Sequence, residues 1–362
     1  MRLVAERIRA WGVMGTVPRV AAAGLVLFSL LYVIVIADPV ADVGTWRTTN
    51  FGSAIDNPGA FVYTLLDAIT FAGLLFIVAS GFSLIFGLMR VVNMAHGSLY
   101  LLGGYIAYEV QQGMTGQGFS VQPSEVTTLE WVLPLLVAMG SIALFGLAIQ
   151  QLFLRWNQGQ DLRQALITIA ISIIIADQVL ANFGGVAENL AAPDSFPETV
   201  SLRLYDISYP FFRIFVLLVA IAVGLALWAM IKRTRFGMIV RAGVDDRQMV
   251  SALGINIQLV FASAFLIGAF LAGLGGVLGG TMISVNKGND TTYLLFSLIV
   301  VIIGGMGSLA GAAIGALALG LVDAFGDVYL PAGYTNYSVL LIFALLVLVL
   351  AVRPLGLFGR PA

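Results

Sequence analysis

The chain has 362 residues, of which 60% are hydrophobic and 10% charged, with a formal net charge of -1. A soluble domain carries about a quarter charged residues, so this composition excludes a water-clothed globule and requires a bilayer around the outer face. The absence of Cys and the single His, His96, exclude disulfides, thiolate nucleophiles and any multi-His metal site within one chain.

A membrane-spanning helix needs about 20 apolar residues at about 1.5 Å per residue. In chain order, clear candidates are residues 20–37, 61–86, 131–153, 165–182, 210–231, 260–285 and 338–352. Shorter apolar stretches lie at 98–110, 293–303 and 312–325. The expected fold is therefore an all-α polytopic membrane protein of about ten hydrophobic segments, some of them broken or re-entrant. The first stretch has an Arg-bearing front and is 18 residues long without a small-x-small cleavage site before Asp38. It reads as a retained anchor helix rather than a signal peptide.

The basic residues fix the expected orientation. Arg2, Arg7, Arg9, Arg19, Arg90, Arg155, Arg163, Lys232, Arg233, Arg235, Arg241, Arg247, Arg353 and Arg360 fall in one alternating set of loops. The opposite set holds only Arg47, Arg203, Arg213 and Lys287. Lys and Arg concentrate on the cytoplasmic side, so this split of 14 against 4 places both termini in the cytoplasm. The two long loops on the other side, 38–60 and 183–209, are acidic and rich in Pro, Asn and Ser. They read as solvated connectors with possible docking surface, because no extramembrane stretch is long enough to bury a core.

Two places interrupt apolar sequence with Gly and polar residues. One is Gly87 to Gly97, containing Asn93 and His96; the other is Gly304-Gly305-Met306-Gly307-Ser308 through Gly311. Unsatisfied backbone in hydrocarbon is costly, so non-helical chain at that depth is tolerated where it is buried in protein or lines a cavity. Gly-interrupted segments in two halves are the sequence pointer to a translocation pathway. Asn93, His96, Gly97, Gly304, Gly305, Gly307 and Ser308 are accordingly the candidate pathway residues. The alternative at both places is a tight hairpin between neighbouring helices, with His96 as a hydrogen-bonded cap. Asp67, Asp177 and Asp323 also lie in or near apolar stretches. Intramembrane ionisable residues mark function by default, but an interface position or an N-terminal pairing accounts for each equally well, and no proton coupling is assigned to them.

Small residues recur every fourth position at Ala264, Gly268, Ala272, Gly276 and Gly280, and again at Ala312, Ala316 and Gly320. Such stripes allow close helix packing in membranes. Between residues 231 and 260, Asp245 with Gln248 reads as an N-cap and capping box, and Gly254 as the helix stop. A helix of about two turns is expected between them, with Met249, Val250 and Leu253 on one apolar face. Docking on a partner and lying on lipid headgroups are the two uses such a helix has.

The run Arg233-Thr234-Arg235-Phe236-Gly237, then Asp245-Asp246-Arg247, then Ala252-Leu253-Gly254-Ile255-Asn256 resembles the coupling loop of branched-chain amino-acid ABC importer permeases. Asn93-Met94-Ala95-His96-Gly97 is similar to that family's Asn-Phe-Ala-His-Gly segment. The stretch from Ile303 to Ala312 looks like its Gly-Gly-x-Gly-Ser segment, and the tail from Arg353 to Pro361 like its usual ending. The resemblance spans residues 61–361 in order; Met94 for Phe and the extra N-terminal helix are departures. It implies a leucine/isoleucine/valine-type transmembrane subunit in the bacterial inner membrane, with 61–362 as the permease domain carrying a coupling segment at 232–258; residues 1–60 read, from their own composition, as an added anchor helix and loop. It implies a second similar permease, two cytoplasmic ATP-binding subunits that hold ATP and Mg, and an extracytoplasmic solute-binding protein. Asp245, Asp246, Met249, Val250, Leu253 and Gly254 would contact the ATPases. No Gly-x-x-x-x-Gly-Lys-Ser/Thr phosphate loop occurs in the sequence, so this chain is expected to be no enzyme, with no cofactor or metal of its own. An ion-coupled secondary transporter, a passive channel, and the same family carrying urea, amides or aromatic acids are the alternatives.

Overall fold

A computed structural model describes residues 57–89, 91–116, 125–202, 205, 207–245, 247–330 and 337–359, without the side chains of 244–248. The anchor segment at 20–37 lies outside the described residues.

The remaining nine apolar stretches are all helical. They are α1 (Pro58–Met89), α2 (His96–Thr115), α3 (Thr128–Ile149), α4 (Asp161–Phe183), α5 (Phe211–Arg233), α8 (Ile257–Met282), α9 (Asn289–Gly304), α10 (Leu309–Tyr329) and α11 (Ser338–Val352). Two short helices, α6 (Arg235–Asp245) and α7 (Arg247–Ala252), sit between α5 and α8. Six helices are long and apolar enough to cross a membrane: α1, α3 with its extension to Asn157, α4, α5, α8 and α10. At 16 and 15 residues, α9 and α11 reach only about 24 and 22 Å, short of a core about 30 Å thick. In α2 the polar load of Glu109, Gln111 and Gln112 lowers the hydropathy. Of the about ten hydrophobic segments expected, some broken or re-entrant, the described residues thus hold six helices of spanning length and three shorter or more polar ones. The all-α expectation needs one addition: an antiparallel hairpin, β1 (Thr199–Leu202) with β2 (Ile207–Pro210), pairing Thr199 with Pro210 and Leu202 with Ile207.

Local chemistry accounts for most helix ends. The side chain of Thr127 accepts from the Glu130 amide while Glu130 Oε2 accepts from the Thr127 amide at 2.8 Å, a complete capping box for α3. Asn256 caps α8, and Ser308 Oγ accepts from the Gly311 amide at 3.0 Å to cap α10. Gly254, with φ +80°, stops α7 as expected. Past Ile149, α3 continues as one π turn, Gln150–Leu154, and a 3₁₀ turn, Arg155–Asn157. That irregular end is tied to α8 by two reciprocal amide hydrogen bonds between Gln158 and Gln258, at 2.6 and 2.8 Å.

Helices α1, α2 and α8 form the centre. The apolar core of α1 is 83% buried, against 17% in α4 and in α5, so the last two leave most of their surface uncovered by this chain. Both small-residue stripes are inside. A Cβ on Gly81 would lie 2.7 Å from the Gly268 carbonyl oxygen, and one on Gly103 2.8 Å from Gly273 Cα. Gly276 faces the Tyr100 carbonyl, and a Cβ on Gly320 would lie 2.6 Å from the Ala68 carbonyl. The absence of side chains there lets backbones meet, the packing mode expected without a hydrophobic force between helices.

The described loops sort onto two ends. The α1–α2, α3–α4, α5–α8 and α9–α10 connections and the tail meet at one end, which carries Arg155, Arg163, Lys232, Arg233, Arg235, Arg241 and Arg353. At the other end the loop after α4 is stitched down: Glu188 and Val285 form a two-bond bridge, Gln111 Nε2 donates to the Ala191 carbonyl at 3.0 Å, and Asp194 Oδ2 accepts from the Val126 amide at 2.7 Å.

Candidate translocation and coupling site

The two sequence interruptions meet. A Cβ on Gly87 would stand 2.7 Å from Gly307 Cα, so the end of α1 crosses directly over the turn that separates α9 from α10. Gly304 and Gly311 are likewise in backbone contact across that turn. Gly305 and Gly307 adopt φ of +98° and +74°, the left-handed region that glycine enters without steric cost.

After α1 ends, the chain turns back into the bundle. His96, the first residue of α2, is fully buried, and its Nε2 donates to the Val78 carbonyl at 3.0 Å. Val78 lies eleven residues before the end of α1 at Met89, about 16 Å away at 1.5 Å per residue. The α2 N-terminus therefore sits far inside the protein, and the segment leading to it is non-helical chain at depth. Its polar groups are largely satisfied: the Met94 amide donates to Thr168 Oγ1 at 3.1 Å and the Ala95 amide to Asn93 Oδ1 at 3.1 Å. Ser98 and Ser172 hydroxyls pair at 2.7 Å, adding a second tie to α4. Asn93 is 3% exposed and its Nδ2 has no partner among the described residues. It faces a cavity of about 10 Å³ with Gln164, Thr168, Leu154 and Phe265. Gly97 abuts the Asp290 carbonyl in the first turn of α9. Two helix N-termini thus converge in the interior, as in transporters built on discontinuous helices. Asp290, 9% exposed as a residue, sits in the first turn of α9.

His96 is thus an interhelical hydrogen-bond donor, stacked edge-on to Phe82 at 5.4 Å. The hydrogen-bonded role weighed as the alternative for His96 is present, but not as a cap: the N-cap position of α2 is Ala95, without a side-chain cap bond. Ser308 is the α10 cap. Asn93, His96 and Gly97 form one group and Gly304, Gly305, Gly307 and Ser308 another, joined through Gly87. Among the carboxylates, Asp67 is paired with Arg213, Asp177 is exposed, and Asp323 is partly buried on α10.

The segment at 232–258 is more structured than expected. Here α6, absent from the sequence reading, precedes the short helix, and its corner with α5 is closed tightly. Thr234 caps it through Gly237, whose amide donates to Thr234 Oγ1 at 3.1 Å, and Arg241 Nη1 donates to the Ile231 carbonyl. A Cβ on Gly237 would collide with the carbonyls of Met230 and Ile231. Replacing Gly237 with Ala should therefore weaken the corner by more than the few tenths of a kcal/mol usual for an exposed site; lowered abundance and earlier thermal unfolding in detergent are the readouts. On its inner side, α6 buries Val240 in one cluster with Leu84, Leu88, Met89 and Phe261. A Cβ on Gly243 would lie 3.4 Å from Leu88 and 3.5 Å from Ile257. The segment thus rests on the end of α1 where the interruption begins.

Asp245 closes α6 rather than opening α7 as a free N-cap; Asp246 and the Asp245 and Gln248 side chains lie outside the described residues. The expected single face divides in two. Val250 is buried (1% exposed), whereas Met249 and Leu253 are 60% and 72% exposed. A two-turn helix pressed against the bundle turns one apolar residue inward, leaving the other two outward. The tail also has a role that sequence alone missed. The Leu357 and Phe358 amides donate to the carbonyls of Ile303 and Gly304 at 2.8 and 3.0 Å, supplying partners to the last carbonyls of α9.

At the opposite end, Tyr209 on β2 donates to Asp67 Oδ1 at 2.7 Å and lies 2.9 Å from Thr70 Oγ1. Arg213 forms an ion pair with the same Asp67 oxygen. Burial raises the Tyr209 phenol above its ordinary pKa, so it stays protonated and donating.

The profile of the family described as branched-chain amino acid transport system / permease component matches residues 64–350. The high-affinity branched-chain amino acid transport system permease protein BraD of Pseudomonas aeruginosa is 30% identical over 309 residues, covering 83% of this chain and 96% of that protein. The corresponding LivH protein of Escherichia coli K12 is 29% identical over 313 residues, with the same coverage. A probable LivH permease of Methanocaldococcus jannaschii is 22% identical over 301 residues, 82% of this chain and 91% of that one. No solved structure matches the chain. With its interruptions at depth, its closed corner at the basic end and these relatives, the chain belongs to the branched-chain amino acid transport permease family.

Proposed function

We propose that this chain is the membrane subunit of a binding-protein-dependent ABC importer for branched-chain amino acids, supplying half of a translocation pathway shared with a second, similar permease. The observation that carries this reading is the seat of α6 on Leu88 and Val240's cluster, which puts the α6–α7 segment in contact with the first interruption. A push on α7 by a partner would reach Gly87, and through it Gly307, without passing through lipid-facing helices. Two cytoplasmic ATPases that bind ATP and Mg would supply that push, and an extracytoplasmic binding protein would deliver solute at the opposite end. The 14-to-4 bias of basic residues supports placing the basic end and both termini in the cytoplasm of a bacterial inner membrane. Ion-coupled transport draws less support: Asp67, the one carboxylate on α1, is already paired with Arg213.

Purified alone, the chain should hydrolyse no ATP above background, because it contains no phosphate loop. Reconstituted with its neighbouring ATPases, permease and binding protein, it should support hydrolysis stimulated by solute-loaded binding protein. Turnover by the isolated subunit, after rigorous removal of contaminating ATPases, would overturn the division of labour.

A further inference from the structure

The α6–α7 segment is joined to the bundle by α5 before it and α8 after it, and α5 packs directly on α1. The buried residues of α5 are Val216, Ala220 and Leu227, a single stripe, while Leu218, Ile221, Leu225 and Trp228 on its other faces are 46–63% exposed. That stripe is spent on α1. A Cβ on Gly73 would lie 3.3 Å from Ala220 Cβ, and one on Gly224 3.1 Å from the Phe76 ring. At the basic end α6 continues the contact onto Leu88 through Gly243. At the other end the contact closes with Asp67, whose Oδ1 accepts from both Arg213 and Tyr209, and with Thr70 beside the phenol. The pair is thus fastened from residue 67 to residue 88 of α1, and its one ionic fastening among the described residues is the Asp67–Arg213–Tyr209 group. Both charged side chains are only 27–28% exposed, so solvent screens the pair less than an ion pair on an open surface.

We propose that Asp67, Tyr209 and Arg213 are positioning residues that lock α5 to α1. The two helices then move as one rigid body, and displacement of the α6–α7 segment is carried to the far end of the bundle. This rests on the importer reading above. The competing arrangement is a swinging α5 that slides along α1 during transport. The absence of native Cys makes the difference directly measurable. Gly73→Cys with Ala220→Cys places two thiols at a spacing close to the 3.5–4.5 Å Cβ separation of disulfides.

In the reconstituted complex, oxidation of this double variant should form the cross-link and leave ATP-driven uptake at the level of the reduced form. Loss of uptake on oxidation with recovery on reduction, or failure of the thiols to link, would overturn the proposal. In the wild-type background, Asp67→Asn should lower uptake and binding-protein-stimulated hydrolysis by about tenfold, the scale of losing a charge-assisted hydrogen bond, at normal abundance. The oxidised cross-link should restore that Asp67→Asn loss, which a defect in folding or solute contact would not permit. Unchanged uptake in Asp67→Asn, or no rescue by the cross-link, contradicts the proposal. Absence of ATP-driven uptake in the wild-type complex would instead count against the importer reading itself.

Discussion

Leu253→Asp should abolish ATP-driven uptake while the protein accumulates normally in the membrane. Met249 on α7 is 60% exposed and Leu253, in the turn that follows it, 72% exposed, so a carboxylate at 253 stands in water until a partner covers it. A groove that receives this face would then bury an unpaired charge, at a cost of several kcal/mol, and a few such anchors dominate helix-in-groove recognition. Co-purification of the ATPases, and stimulation of their hydrolysis by loaded binding protein, should both be lost. Val250 supplies the internal contrast. It is buried against the bundle, so Val250→Asp should lower abundance of the permease itself instead of selectively uncoupling it. If Leu253→Asp retained both assembly and uptake, α7 would not be the coupling element.

Gly305→Val should be the most damaging single change at the second interruption. Gly305 combines φ of +98° with a tail packed so closely that a Cβ would lie 2.9 Å from Gly359 Cα and nearer still to its amide. A β-branched residue is strained at such φ and here would also displace the tail that caps α9. Several kcal/mol of strain is expected in total, with loss of abundance or, at matched abundance, of uptake. Ser308→Ala removes one N-cap bond, worth about 1 kcal/mol, and should leave uptake near wild type. Equal, mild effects of the two changes would assign the segment to an ordinary surface hairpin.

The helices were legible because their apolar stretches have nothing to do but cross or fill a membrane; even the short α9 and α11 announced themselves by composition. Both interruptions were legible for the opposite reason, since Gly, Asn and His between apolar runs are hard to place otherwise. Their mutual contact was not. Gly87 meets Gly307 through tertiary packing that no local signal encodes. The α6 helix was missed because its start lies in the Arg-rich run after α5, where charge rather than periodicity dominates the reading. The signal that could have found it is Thr234 three residues before Gly237, a cap followed by a residue allowing close approach. The inward turn of Val250 was missed because a six-residue helix presents too little periodicity to separate two faces. Asp67 and Arg213 were each visible as charges at apolar boundaries, but their pairing across 146 positions depends on how α5 packs on α1.

In the proposed function, ATP hydrolysed by partner subunits moves a branched-chain amino acid through a pathway this chain helps to build. The most direct test is uptake of labelled leucine, isoleucine or valine into proteoliposomes containing the chain with its neighbouring permease and ATPases, with binding protein and labelled solute added outside and ATP enclosed. The account predicts accumulation that requires enclosed ATP and binding protein and that persists when ion gradients are collapsed. Accumulation driven by an ion gradient in the absence of ATP, or by this chain alone, would contradict it.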